Sequence, residues 1–307
     1  MRTPIVVAGS LNMDFVVQMQ ALPTPGQTLR GRDFQLLPGG KGANQACAVG
    51  KLGGRGLMLG RVGGDVFGEQ LKASLAAAGV DTGRVARTAG EATGVALIFV
   101  ESGGQNMIVI AAGANDRFMP ADIEAAGDCF TPGGYVLLQL ESPQETVEAA
   151  AAFARGRGMT VILDPAPARP LSRALLENVD ILTPNETEAL LLLGRPPGEV
   201  ALAEAPRLAA ALRAQGPRCV ILKLGDKGAW YSGGTAEGHV PAFEVEAVDA
   251  TAAGDTFNGA LAVALSEGAA LAAAVRFANC AAAISVTRLG AQASVPSRAE
   301  VDAMLRA

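Results

Sequence analysis

The sequence predicts an α/β protein built on a central, mostly parallel sheet with helices packed against it. Three observations predict it. From residue 135 onward, short apolar runs alternate with alanine-rich stretches of helical spacing, the rhythm of parallel sheets. Some of the runs, among them residues 5–8 and 219–222, are apolar throughout, as strands covered on both faces are. Polar groups recur at the carboxyl ends of these runs, at Asn12, Asp14, Glu141, Asn185 and Lys223, where open α/β sheets bind ligands.

Residues 5–8 read as a buried strand that stops at Gly9-Ser10. Asn12 and Asp14 follow, either as ligand-facing groups or as an ordinary polar turn. A second short strand covers 15–19, and a Pro/Gly loop at 23–26 leads to an apolar run at 34–37. Pro38-Gly39-Gly40-Lys41-Gly42-Ala43-Asn44-Gln45 then opens a helix to about residue 52. Its glycines let the backbone approach a ligand closely, and Lys41 and Asn44 offer donors to a polyol. It has neither the Gly-Lys-Ser/Thr ending of a Walker loop nor the Gly-x-Gly-x-x-Gly of a dinucleotide turn.

A strand over 57–62 and a helix over 68–78 come next. The runs 95–100 and 107–110 are joined by a hairpin signal at 101–104. A hairpin with one wet face alternates apolar and polar residues. This one does not, so its second face is expected to be covered, by the body of the protein or by a second subunit. Strands at 135–140, 160–163, 181–183 and 219–222 then alternate with helices over 143–157 and near 201–214.

Near the end stands Asp249-Ala250-Thr251-Ala252-Ala253-Gly254-Asp255-Thr256-Phe257-Asn258-Gly259, followed by helices over 261–265 and 271–286 and a short amphipathic helix. Small residues before a helix leave N–H groups bare, and the helix N-terminus adds positive partial charge, so the stretch suits an anion. The residues alone leave Asp255 two readings: a base facing a phosphoryl acceptor, or a helix-start carboxylate favourable to the dipole.

Half of the 307 residues are hydrophobic and 18% are charged, enough for a large core and too apolar for general disorder. A net charge of −5 argues against a nucleic-acid surface. Cys47, Cys129, Cys219 and Cys280 lack metal-ligand spacing and do not suggest a disulfide framework. The one histidine, His239, lies in a strand-like run with no partner motif and reads as a surface or strand residue. The N-terminal apolar run is too short for a signal peptide, and no stretch is long and apolar enough to span a membrane. A soluble cytoplasmic protein is the expectation.

Two motifs carry a family resemblance: Gly39-Gly-Lys-Gly-Ala-Asn-Gln-Ala46 and Asp249-Ala-Thr-Ala-Ala-Gly-Asp-Thr-Phe-Asn-Gly-Ala260. The chain resembles the ribokinase-like (PfkB-type) carbohydrate kinases. The intermediate segments Gly9-Ser-Leu-Asn-Met-Asp14, Gly94-Val-Ala-Leu-Ile-Phe-Val100, Ala112-Gly-Ala-Asn115, Gln139-Leu-Glu-Ser-Pro143, Asp164-Pro-Ala-Pro-Ala-Arg169, Thr183-Pro-Asn-Glu-Thr-Glu188 and Thr287-Arg-Leu-Gly-Ala-Gln292 are similar to its ribokinase branch.

The resemblance covers essentially the whole chain. It implies one three-layer domain over 1–307, with a β-sheet lid from about 15–37 and 94–110 that clasps a second copy in a homodimer. It implies ATP-dependent phosphorylation of the 5-hydroxyl of D-ribose. Asn12, Asp14, Gly40, Lys41, Asn44 and Glu141 would hold the sugar. Asp255 would be the base, and Ala252, Ala253 and Gly254 would form the anion hole. Asn185, Lys223, Gly225, Gly228, Gly254 and Asn279 would surround ATP. Glu188 would organise Mg²⁺ indirectly. Asp249, Thr251, Ser285, Arg288, Gly290 and Ser294 would line a K⁺ site.

Three positions depart from the family pattern. Ala250 stands where Thr or Pro is usual, and Met13 is larger than the usual residue and would narrow the sugar pocket. Lys223 stands where Thr is common and would reach an ATP phosphate or lie solvated along the surface. Fructose, deoxyribose, 2-keto-3-deoxygluconate and nucleosides are the alternative substrates, although an aromatic content of 4% offers a nucleoside little to stack on. A non-catalytic sugar-binding protein would lack Asp255 or the glycine loop, and both are present.

Overall fold

The computed structural model describes residues 3–103, 105–234 and 236–307. In chain order the strands are β1 (Pro4–Ala8), β2 (Asn12–Met19), β3 (Arg32–Gly39), β4 (Arg55–Gly63), β5 (Asp81–Thr88), β6 (Gly94–Glu101), β7 (Asn106–Ala111), β8 (Tyr135–Leu138), β9 (Thr160–Leu163), β10 (Ile181–Leu182), β11 (Cys219–Lys223), β12 (Ala229–Gly233) and β13 (Ala236–Val240). The helices are α1 (Lys41–Lys51), α2 (Val66–Ala77), α3 (Pro120–Ala125), α4 (Gln144–Gly156), α5 (Arg173–Glu177), α6 (Glu186–Leu192), α7 (Ala205–Arg213), α8 (Ala253–Ser266), α9 (Leu271–Ser285) and α10 (Arg298–Arg306).

Nine strands form one mixed sheet in the order β13-β12-β11-β10-β9-β8-β1-β4-β5. The seven from β11 to β5 are parallel, and β12 and β13 add an antiparallel edge. Side chains of a strand alternate between faces, and here each face has its own apolar core. Ile5, Val7, Leu137, Ile162 and Ile221 join α1, α2, α8, α9 and α10 on one side. Val6, Ala8, Leu138, Val161 and Val220 join α3 to α7 on the other. Burial on both faces explains why these strands are apolar throughout. From β1 the chain moves outward to β4 and β5, then returns to β8 on the opposite side of β1. The sheet's switch point, where a crevice opens beyond the carboxyl ends, therefore lies between β1 and β8.

The edge strand β5 had no clear signal in the sequence. It pairs only with β4 and leaves most of its residues exposed or half-buried, so polar residues suffice there. His239 sits on β13 opposite Trp230, and its Nε2 is 2.6 Å from the carbonyl oxygen of Lys227, a strand residue as expected. The four cysteines are free. No helix among the described residues is long and apolar enough to cross a membrane.

A second sheet, ordered β3-β2-β6-β7, rises from the switch point. Only Gly9-Ser10-Leu11 separate β1 from β2. At its root Asn12 pairs with Gly39 on one side and Gly94 on the other. The hairpin signal at 101–104 includes Gly104, which lies outside the described residues, but β6 and β7 pair from Val95↔Ala111 to Val100↔Asn106. The chain leaves β7 open, while β6 is mostly half-buried. Met107, Ile108, Val109 and Ile110 are 45, 51, 53 and 46% exposed.

Candidate active site

Asn12 and Asp14 are not in a turn but on β2, where alternation puts them on one face and Met13 on the other. Met13 is 2% exposed within the core. The expectation that it narrows a sugar pocket is therefore corrected. Asn12 Oδ1 accepts from Asn115 Nδ2 at 2.8 Å, and Asn115 also accepts from the Leu11 N–H at 2.9 Å.

Beyond β3 the chain folds back onto β1 at the glycine motif. Gly40 caps α1 with φ 87°. A Cβ there would lie 2.7 Å from Asn12 N, and one at Gly42 would lie 2.6 Å from Ser10 N. Glycine is required at both because backbone packs on backbone. The fold brings Glu141, at the end of β8, against this turn. Its Oε2 accepts from Ser10 Oγ at 2.6 Å and from the Lys41 N–H at 3.0 Å.

Asp255 arrives on α8, in the first turn, 5% exposed. Its Oδ2 accepts from Asn44 Nδ2 and its Oδ1 from Gln45 Nε2, both at 3.1 Å. Gln45 Nε2 also donates to Asp164 Oδ2 at 3.0 Å, and Gln139 Nε2 donates to Gln45 Oε1 at 2.7 Å. Asp164 Oδ1 accepts from Lys223 Nζ at 2.9 Å, and the two side chains are 3% and 13% exposed. Neither surface solvation nor a free ammonium describes Lys223. A buried carboxylate holds it, with Nζ 3.3 Å from where a Cβ on Gly254 would stand.

Residue 252, which precedes α8, adopts the left-handed conformation, φ 58°. The helical ladder begins with Thr256 N to Ala252 O at 2.8 Å, so the N–H groups of Gly254 and Asp255 precede it. The Ala253 N–H donates to Ala250 O at 3.2 Å, so within this turn it already has an acceptor. The remaining donors point from a helix start, where negative charge is favoured.

Several charges crowd together here. Burial pushes the Asp14 carboxyl up to about 7, helped by Glu141 and Asp255. Burial also raises Asp255 to about 6; Lys41 opposes that rise, Asp164 adds to it, and the Asn44 and Gln45 hydrogen bonds oppose it. For Lys41, burial works against the charged form, but Asp255, Asp164, Glu141 and Glu188 together hold its pKa above the ordinary value. Burial likewise raises Glu188.

The other expected residues form two neighbouring groups. Asn185 caps α6 and exchanges hydrogen bonds with Glu188, whose carboxylate accepts from Asn185 N at 2.8 Å and Nδ2 at 3.0 Å. Asn185 also bridges to Lys223 in the main sheet. Gly225 and Gly228 have φ 59° and 91° in the turn after β11. Asn279 donates to the carbonyls of Val240 and Pro241 at 3.0 and 3.2 Å, which ties down the segment after β13.

In the second group, Asp249 accepts from the N–H groups of Thr251 and Gly290, both at 2.9 Å. Ser285 and Ser294 donate to Ala282 O and Ala291 O, both at 2.8 Å. The Arg288 side chain pairs with Glu300, so only its main chain is left for a cation. Gln45, Asp164 and Gln139 had no role in the sequence reading. Their signal was there, since Gln45 lies in the glycine motif and Asp164 ends a strand.

The chain matches the family described as pfkB family carbohydrate kinase over residues 2–298. It is 42% identical over 301 residues to the ribokinase of Bacillus subtilis (strain 168), covering 98% of this chain and 99% of that one. It is 41% identical over 301 residues to the ribokinase of Haemophilus influenzae (strain ATCC 51907 / DSM 11121 / KW20 / Rd), covering 98% and 97%. Among solved structures, Arabidopsis thaliana ribokinase complexed with ribose and ATP superposes with a TM-score of 0.91 at 35% identity, covering all of both chains.

Proposed function

The chain belongs to the pfkB family of carbohydrate kinases, and as a phosphotransferase of ribokinase type, we propose, it moves the γ-phosphoryl group of ATP to the 5-hydroxyl of D-ribose. One observation carries the reading of the site. Asp255 is buried at a helix start, yet its carboxylate is held by two amides from the glycine motif, Asn44 and Gln45, more than 200 residues away in sequence. A capping carboxylate needs no such support.

The sugar hydroxyls would donate to Asp14 and Glu141 and accept from Asn12, Lys41 and Asn44. That set would turn the primary hydroxyl toward Asp255. With a pKa near 6, Asp255 is ionised at neutral pH but far too weak to strip an alcohol beforehand. It orients the hydroxyl and takes its proton as the P–O bond forms, help worth about 10²–10⁴ in rate. The N–H groups of Gly254 and Asp255 would face charge developing on the phosphoryl oxygens. Asn185, Gly225, Gly228 and Asn279 border the space for the nucleotide.

Mg²⁺ fits this site as a nucleotide-borne ion. No cluster of three or more His, Cys, Asp or Glu among the described residues would hold it alone, and Mg²⁺ commonly rests on phosphates, water and one or two carboxylates. When bound it neutralises phosphate charge, and Glu188 would meet it through water. The group around Asp249 offers oxygen donors only, the chemistry a hard cation such as K⁺ takes. There it would fix the turn that aims the α8 amides. The exposed apolar strand β7, with Leu97 of β6 beside it, supports a homodimer closed lid against lid.

A coupled ADP-release assay across D-ribose, 2-deoxyribose, fructose, 2-keto-3-deoxygluconate and nucleosides tests the substrate, with highest kcat/KM expected for D-ribose. Asp255→Asn is expected to bind sugar and lose at least about a hundredfold in kcat. Near-normal turnover by that variant would remove Asp255 from the base role.

A further inference from the structure

We propose that Lys223 is a positioning residue for the base: by neutralising Asp164, it keeps the Asp255 carboxylate ionised and aligned across the Gln45 bridge. The inference rests on the reading of Asp255 as base.

The chain of contacts is continuous. Lys223 Nζ donates to one oxygen of Asp164, and Gln45 Nε2 donates to the other. The same Gln45 nitrogen donates to Asp255. The two carboxylates thus sit on the two hydrogens of one amide, no more than about 6 Å apart. Gln45 is fully buried and held from behind by Gln139, so it is not free to turn away. An ionised Asp164 this close pushes the Asp255 pKa up. A proton on Asp255 would leave the attacking hydroxyl without an acceptor.

The charges facing Asp255 come from three directions. Lys41 on α1 favours its ionised form, and Asp164 after β9 opposes it. Asp14 on β2 couples to it with the same sign as Asp164. Lys41 must also serve Glu141 and Glu188, so its charge is shared. The charge next to Asp164 itself is Lys223, at the end of β11. A threonine there would leave Asp164 buried against Asp255 without its cation.

Four proteins test this: wild type, Lys223→Met, Asp164→Asn and the double variant. The readout is the acid limb of kcat at saturating sugar and ATP, where Asp14 is already engaged by substrate. Wild type is expected to fall off near pH 6. At about 6 Å and an effective dielectric of about 20, one unit charge moves a neighbour's pKa by about two units, and screening by salt and water cuts that toward about one. Lys223→Met should move the midpoint up by about one unit, because the Asp164 charge beside Asp255 then has no cation against it. Asp164→Asn should move it down by about the same amount. The double variant, which has lost both charges, should return close to wild type.

Agreement of all four midpoints would overturn the proposal. So would a rise in the KM for ATP in Lys223→Met with its midpoint unmoved, since that puts the ammonium on the nucleotide. Failure of the base reading looks different: Asp255→Asn would then turn over normally, whatever these midpoints do.

Discussion

With Asp14 proposed as a sugar ligand, sugar binding is expected to be gated by pH. Its carboxyl is raised from 3.8 to about 7, first by burial and then by Glu141 and Asp255. Sugar hydroxyls donate to a carboxylate, and only the ionised form accepts at both oxygens. The sign follows: sugar affinity is full above about pH 7 and fades as pH falls through it. At pH 6 about one-tenth of the side chain is ionised, so the sugar KM should stand roughly tenfold above its value at pH 8.5. The KM for ATP should stay level, and the loss of kcat near pH 6 belongs to Asp255. In Asp14→Asn the sugar KM should lose its pH dependence and rise by about ten- to a hundredfold, the worth of a hydrogen bond to a charged group. Steady-state kinetics at saturating ATP from pH 6 to 8.5 read both. A wild-type sugar KM constant within about twofold, or an Asp14→Asn variant that keeps the wild-type slope, would refute the reasoning. Stability moves the other way. A raised carboxyl favours the folded state below its unfolded pKa, and that contribution is lost as pH rises through about 7. D-Ribose should therefore raise Tm more at pH 8 than at pH 6.

Gly42→Ala would place a Cβ 2.6, 2.7 and 2.8 Å from Ser10 N, Gly9 C and Ser10 O. Backbone cannot give way as a side chain can, so a loss of about 1–3 kcal/mol is expected, read as a Tm lower by several degrees; an unchanged Tm counts against the close packing. Ile108→Asp puts a charge on a strand that the chain leaves open. Sedimentation velocity is expected to show a dimer for the wild type, as proposed, and a monomer for the variant; an unchanged sedimentation coefficient would detach the lid from dimerisation.

Backbone-driven features were legible in the sequence. Runs apolar throughout marked strands with a core on each face, and three clustered glycines marked the turn where α1 begins against β1. What stayed hidden depends on side chains meeting over long separations. Asp164 and Lys223 are 59 residues apart, and Gln45 and Asp255 are 210 apart. No local pattern says which carboxylate takes the lysine. The placement of Met13 was hidden for a related reason. Asn12 and Asp14 look like turn residues, and only their place on β2 shows that the residue between them points into the core. The strand β5 was missed because an edge strand needs little apolar surface.

The two glycine-rich motifs are one piece of structure. At Gly259, α8 crosses α1 so closely that a Cβ would lie 2.5 Å from Ala48 Cβ and 2.8 Å from Gln45 O. Without that contact, Asn44 and Gln45 would not reach Asp255. The helix proposed to present donors to the sugar thus also holds Asp255, and a small shift at the crossing would misplace both. The turn before α8 is built to the same standard. Ala252 is left-handed, which costs an alanine about 1–2 kcal/mol relative to a right-handed residue. Glycine would remove that cost but would also free the unfolded and alternative turn conformations. With Ala250 accepting the Ala253 N–H, the strained alanine leaves the Gly254 and Asp255 amides one direction in which to point.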